Sequence, residues 1–194
     1  NYIGSNALAA VGSSAPLINL LVGFFSGLAT GARVVISRCF GARDQNGVSR
    51  AVHTSMALAF VCGILLSIMG VALSPWILEL MGTPDEVMSN SVLYLRVYFM
   101  GLLAVLIYNM GSGILRAIGD SKTPLYFLIV SSVLIIILDV LFVTQFHMGI
   151  AGVGWATLIA QAVSAVLTLL WLMAAKGDHR VYLRRIRIHK DVLE

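Results

Sequence analysis

A single carboxylate, Asp139, interrupts the apolar run from Pro124 to Phe146, PLYFLIVSSVLIIILDVLFVTQF. The run has the length of a membrane-crossing helix, and an acid at the bilayer centre costs roughly 2.5–3.5 kcal/mol on insertion scales. Such acids face a bundle interior or a water-filled cavity, where they bind protons, ions or charged ligands; the plainer alternative is an acid satisfied by a neighbouring helix. Two further runs carry polar groups at helical spacing. Asn19, Gly23, Ser26, Thr30, Arg33 and Ser37 recur at steps of four and three, and Thr157, Gln161, Ser164 and Thr168 repeat the pattern. Each set falls on one stripe of a helix. Asn109, deep in another run, suits a cavity wall or a helix-to-helix hydrogen bond. Two polar faces and one acid describe a hydrated central cavity.

The same inventory argues against catalysis. No span holds paired acids, and GxSxG and HExxH are absent from the sequence, so an enzyme is not expected. Cys39 and Cys62 are far apart, show no metal-ligand spacing and read as free thiols. No metal and no cofactor is expected beyond a coupling ion, which would be a proton or sodium. His53 and His147 fall near helix ends or in loops and read as interfacial.

Composition supplies the solvent for these residues. Hydrophobic residues make up 59% of the chain and charged ones 11%, with a mean hydropathy of +0.92. A soluble domain averages about 25% charged residues, so lipid must be the main environment. The formal net charge of +4 is spread between apolar spans rather than gathered into a patch, which speaks against a nucleic-acid partner.

Five spans are expected, at roughly residues 13–37, 51–73, 92–115, 124–146 and 152–175, each long enough to cross a hydrocarbon core about 30 Å thick. The fold class is therefore all-α, a polytopic helical membrane protein. Residues 13–175 form the bundle, residues 1–12 a turn-rich extracytoplasmic loop, and residues 176–194 a basic connector lying on the cytoplasmic membrane surface. The opening NYIGSNALAAVG lacks the charged and apolar regions of a signal peptide and reads as the continuation of a longer protein. Eleven of the thirteen Lys and Arg residues fall in the loops after the first, third and fifth spans. By the positive-inside rule that face is cytoplasmic.

Local signals mark helix starts and packing faces. Thr83 to Glu86 read as a capping box with Pro84 in the first turn, and Thr123 with Pro124 opens the fourth span in a similar way. Gly23, Gly27 and Gly31 make two GxxxG steps suited to a close helix neighbour. Arg96, between Tyr94 and Tyr98, reads as snorkelling to the outer interface.

Several stretches together carry a resemblance. ALAAVG at 7–12, GLATGARVVISRCFGARD at 27–44, LRAIGDSKTP at 115–124, LDVLFV around Asp139 and MGIAGVGWAT at 148–157 resemble the multidrug and toxic compound extrusion (MATE) transporters along nearly the whole chain. The resemblance implies a twelve-helix transporter of two six-helix lobes, of which these five helices would be helices two to six of the amino-terminal lobe. It implies partners in the missing first helix and carboxy-terminal lobe, in the lipid bilayer, and in a small cationic or amphipathic substrate. Such a protein would sit as a multi-pass chain in a bacterial plasma (inner) membrane and export drugs and metabolites in exchange for protons or sodium by alternating access.

The family's amino-terminal cation site joins an acid on helix one, an asparagine and an acid four residues apart on helix five, and a threonine on helix six. Asp139 matches the helix-five acid and Thr157 the threonine, as the cation- or proton-binding pair. Asn19, Ser26, Thr30, Gln161, Ser164 and Asn109 would line the cavity. Ile135 occupies the asparagine position, on the Asp139 face. A hard cation needs several oxygens, whereas a proton needs one base, so the substitution favours proton coupling in this lobe. A lipid-linked precursor flippase of the same superfamily and a non-transporting scaffold are the competing readings. The first calls for more basic residues than Arg33 and Arg96 in the cavity; the second leaves Asp139 and the polar stripes unused.

Overall fold

The structure, a computed structural model, describes residues 5–83, 85–146, 149–174 and 181. Its five helices are α1 (Ser5–Gly41), α2 (Gln45–Leu80), α3 (Asp85–Ala117), α4 (Lys122–Thr144) and α5 (Gly149–Ala174). All five are long and apolar enough to cross a membrane. In hydrocarbon no water is available to backbone N–H and C=O groups, and a helix satisfies them within one segment. Most helices outrun the expected spans. α1 starts at Ser5, so residues 5–12, expected as loop, extend the helix by about two turns. Residues 1–4 and the connector 176–194 lie outside the described residues, apart from Val181. That residue is buried, and its N–H donates to the Leu172 carbonyl at 3.1 Å.

Three tight turns join α1 to α2, α2 to α3 and α3 to α4, and they share one construction. Arg43, Gly82 and Gly119 take positive φ of 56°, 69° and 90°. The N–H of the following residue reaches back to the helix, as in Asp44 to Cys39 at 3.0 Å, Thr83 to Leu78 at 3.1 Å and Asp120 to Leu115 at 2.9 Å. These are helix-ending Schellman motifs. On the Arg-rich side an aspartate then caps the next helix: Asp44 Oδ1 accepts from Gly47 N at 2.9 Å, and Asp120 Oδ1 accepts from Thr123 N at 3.0 Å. The caps expected at Thr83 and Thr123 are not formed. Asp120 replaces Thr123, because the helix starts two residues earlier, at Lys122, while Thr83 Oγ1 is buried without a hydrogen bond.

α3 is the hub. It packs against α1, α2 and α5, while α4 is held mainly by α5 and barely touches α3. A T-shaped pair, Phe127 with Trp171 at 6.3 Å between centroids, ties α4 to α5. Glycine does bring helices together, although not where the sequence placed it. An added Cβ at Gly63 or Gly70 would strike Leu103 or Phe99, and at Gly111 or Gly154 would strike Thr168 or Val97. Gly23, Gly27 and Gly31 have open space instead; Gly27 and Gly31 border a gap shared with Thr54, Ser55 and Leu58 of α2 and Met110 of α3.

Arg96 is held by a backbone defect rather than by the interface. Pro75 lies inside α2 and has no N–H to offer the carbonyl four residues back, that of Val71. Arg96 Nε donates to that carbonyl across the α2/α3 boundary at 3.3 Å. Replacing Arg96 by Leu is expected to destabilise the full-length protein by about 1–3 kcal/mol, the cost of an orphaned acceptor. In a Pro75→Ala background, where the helix supplies its own donor, the loss should shrink; thermal unfolding of the four proteins of this cycle measures the coupling.

Candidate functional site

One face of α3 carries Tyr94, Tyr98, Gly101, Val105 and Tyr108 at steps of four, three, four and three. This stripe forms one wall of a cavity of about 230 Å³. α5 supplies Gly154, Thr157, Leu158 and Gln161, α4 supplies Leu128 and Ser131, and α1 reaches it with Val22. The small residues Gly101 and Gly154 keep it open between flanking phenols. Asn109 closes its inner end.

Hydroxyls donate to backbone carbonyls, mostly of their own helix, and this sets the polarity of the cavity. Thr157 Oγ1 donates to Val153 O at 3.0 Å, Ser131 Oγ to Leu128 O at 3.1 Å, and Tyr108 Oη to the Pro124 carbonyl at 3.1 Å. Asn109 Nδ2 donates to Val105 O at 3.0 Å. Once their protons are committed, the hydroxyls can offer only oxygen lone pairs to the interior. An acceptor-lined space between aromatic rings suits a cation or a hydrogen-bond donor.

Asp139 stands beside this space, outside the lining residues. It lies five residues from the outer end of α4, or about 7.5 Å along the helix, so it belongs to the outer part of the span rather than to the bilayer centre. The residue is half-buried, and its Oδ1 is fully shielded without a hydrogen-bond partner. The Tyr94 phenol on the cavity wall is near enough to feel its charge. Ile135, one turn inward and half-buried, brings no polar atom. An oxygen shielded and unpaired costs about 1–3 kcal/mol or more for a charged group, which a proton or a cation would offset. Among the described residues no group of three His, Cys, Asp or Glu gathers to hold a metal ion.

The other expected residues divide. Thr157, Gln161 and Asn109 line the cavity as read from the sequence. Ser26 and Thr30 line a second, smaller cavity between α1 and α3, which also touches Asn109. Asn19 is exposed and lines neither, because the contact of α1 with the main cavity is made at Val22. Ser164 is 2% exposed, buried one turn beyond Gln161, and its carbonyl accepts from Thr168 Oγ1 at 2.8 Å. Its stripe turns into the α3/α5 contact at Gly111. The phenol stripe of α3 was missed, although its four-three spacing was available.

A model of the MatE family matches residues 1–141. The chain belongs to that family. The probable multidrug resistance protein YoeA of Bacillus subtilis is 37% identical over 199 residues, covering 99% of this chain and 43% of the relative. Two solved structures of a multidrug resistance MATE family transporter of the MOP superfamily, one inward-facing and one outward-facing, each match with a TM-score of 0.91 at 28% identity. Each alignment covers 98% of this chain and 43% of that structure. The MatE chain thus spans about two fifths of the length of these relatives, as one helical lobe would.

A bulky group in the cavity tests this geometry. In the full-length MatE protein, Val105→Trp is expected to weaken binding of a fluorescent organic cation at least about tenfold while leaving the unfolding temperature near that of the wild type, since the indole fills space already empty. Fluorescence titration of the purified protein reads the first, and thermal unfolding the second.

Proposed function

We propose that this chain is the greater part of the amino-terminal lobe of a secondary antiporter that exports cationic or amphipathic compounds in exchange for protons. The observation that carries the reading is the pairing of an acceptor-lined, phenol-walled cavity with a carboxylate whose shielded oxygen lacks a partner. An organic cation would stack on the tyrosines, each contact contributing about 0.5–2 kcal/mol, while the negative charge at Asp139 supplies long-range attraction. A proton arriving at Asp139 removes that charge and releases the substrate. Cation and proton would thereby exclude one another.

Proton coupling is favoured over sodium by the poverty of oxygens next to Asp139. Ile135 offers none, and a hard cation takes about six. Thr157 and Gln161 are the chain's own candidates for further oxygens, with the first helix of the lobe as an outside source. Alternating access requires two states of the whole transporter, commonly by rocking one repeat against the other. The equal likeness of the chain to inward- and outward-facing relatives supports a lobe that moves as a unit. The partners in this reading are the first helix, the carboxy-terminal lobe and the lipid of a bacterial plasma (inner) membrane. A lipid-linked precursor flippase would need cations and donors where this cavity offers acceptors and phenols.

The test uses the full-length protein in cells stripped of their own efflux pumps, with export of a fluorescent cationic dye followed under separate proton and sodium gradients. Export should follow the proton gradient and fall at least about tenfold in Asp139→Asn, since an uncharged amide neither attracts the cation nor takes the proton. Ile135→Asn, which restores an amide one turn from the acid, should introduce sodium dependence. A sodium-driven, pH-insensitive rate in the wild type, lost in Asp139→Asn, would overturn the proton assignment.

A further inference from the structure

The second cavity, of about 110 Å³, carries positive charge that the first lacks. α1 presents Ser26, Thr30 and Arg33 to it and α3 presents Asn109, Ser112 and Arg116, both sets at steps of three and four. Arg33 and Arg116 face the same space from different helices, and neither makes an ion pair with a described residue. Ser112 is 3% exposed and its Oγ has no hydrogen-bond partner of normal geometry. The Tyr108 phenol nearby is committed to the Pro124 carbonyl. Two guanidiniums with no ion-pair partner among the described residues and the buried Ser112 hydroxyl supply donors, beside the Asn109 amide oxygen. Like charges facing one space repel, and an anion between them offsets that repulsion.

We propose that this cavity binds one phosphate-type oxyanion, held by Arg33 and Arg116 with Ser112 as the buried donor. Guanidinium matches tetrahedral oxyanions through paired N–H donors. The volume is that of about three to four waters, enough for one such group and too small for a drug-sized molecule. Arg116 lies in the last turn of α3, at the end that carries the basic loops. A basic pocket between helices at that level fits the phosphate of an inner-leaflet lipid headgroup, and a free phosphate ion satisfies the same donors. Asn109 is the shared wall, so the two cavities sit in series, with the charged one inward.

The full-length protein in nanodiscs of phosphatidylcholine alone separates the sources. Phosphatidylglycerol is titrated into the discs in one series and inorganic phosphate into the buffer in another, with the unfolding temperature as readout, because a ligand of the folded state raises it. Stabilisation by phosphatidylglycerol alone assigns the site to lipid, and stabilisation by inorganic phosphate assigns it to the free ion. In either case Arg33→Gln and Arg116→Gln should each raise the half-effect concentration about tenfold, the loss of one charged hydrogen-bonding partner, and Arg33→Lys should raise it less. A wild type stabilised by neither additive overturns the proposal, as does an unchanged response in the glutamine variants.

Discussion

A polar group inside hydrocarbon must find a partner or leave an unmet cost, and nearly every feature of this bundle answers that constraint. Hydroxyls bend back onto the preceding turn of their own helix, as at Ser55, Ser91, Thr157 and Thr168. Aspartates cap the helices that follow the basic turns. Where Pro75 frees a carbonyl, Arg96 reaches across from α3 to fill it. Among the described residues the exceptions are Ser67, Thr83, Ser112 and Asp139, each with a shielded oxygen and no partner. Two of these four lie at the cavities. Asp139 stands beside the larger cavity, and Ser112 lines the smaller one.

α3 organises both places. Its outer and middle turns turn a stripe of tyrosine and small residues toward α5 and α4, and its inner turns continue with Asn109, Ser112 and Arg116 toward α1. One helix therefore walls both cavities, the larger with phenols and small residues and the smaller with Ser112 and Arg116. α1 and α4, which share few contacts with each other, flank the opening of the larger cavity through Val22 and Leu128. The helix that completes the lobe would find its place between such elements.

Much of this was legible in the sequence, and the losses have a common cause. Five apolar runs fix five helices because length and hydropathy act within one segment. The order and spacing of GARD, GDSKTP and MGIAGVGWAT placed the chain in its family. Periodicity placed Thr157 and Gln161 on one polar stripe, and both border the larger cavity, as does Asn109. What periodicity cannot say is which neighbour a stripe meets. Ser164 shares the Gln161 stripe and ends in a packed contact; Asn19 shares the Ser26 stripe and faces away from both cavities. Gly23, Gly27 and Gly31 make a packing motif with open space at each Cβ position, while Gly63, Gly70, Gly111 and Gly154, outside that motif, make the close crossings. The bond between Arg96 and Val71 joins residues twenty-five apart in sequence, and only the tertiary fold pairs a proline defect on one helix with a cation on the next.

The central claim is that substrate and proton exclude one another at Asp139, and the most direct measurement counts protons at the moment of binding. The purified full-length protein in weakly buffered solution with a pH indicator is mixed with an organic cation at a pH where the free protein is proton-loaded. About one proton should be released per cation bound in the wild type and none in Asp139→Asn. Cation binding without proton release in the wild type, or equal release in the asparagine variant, would contradict it.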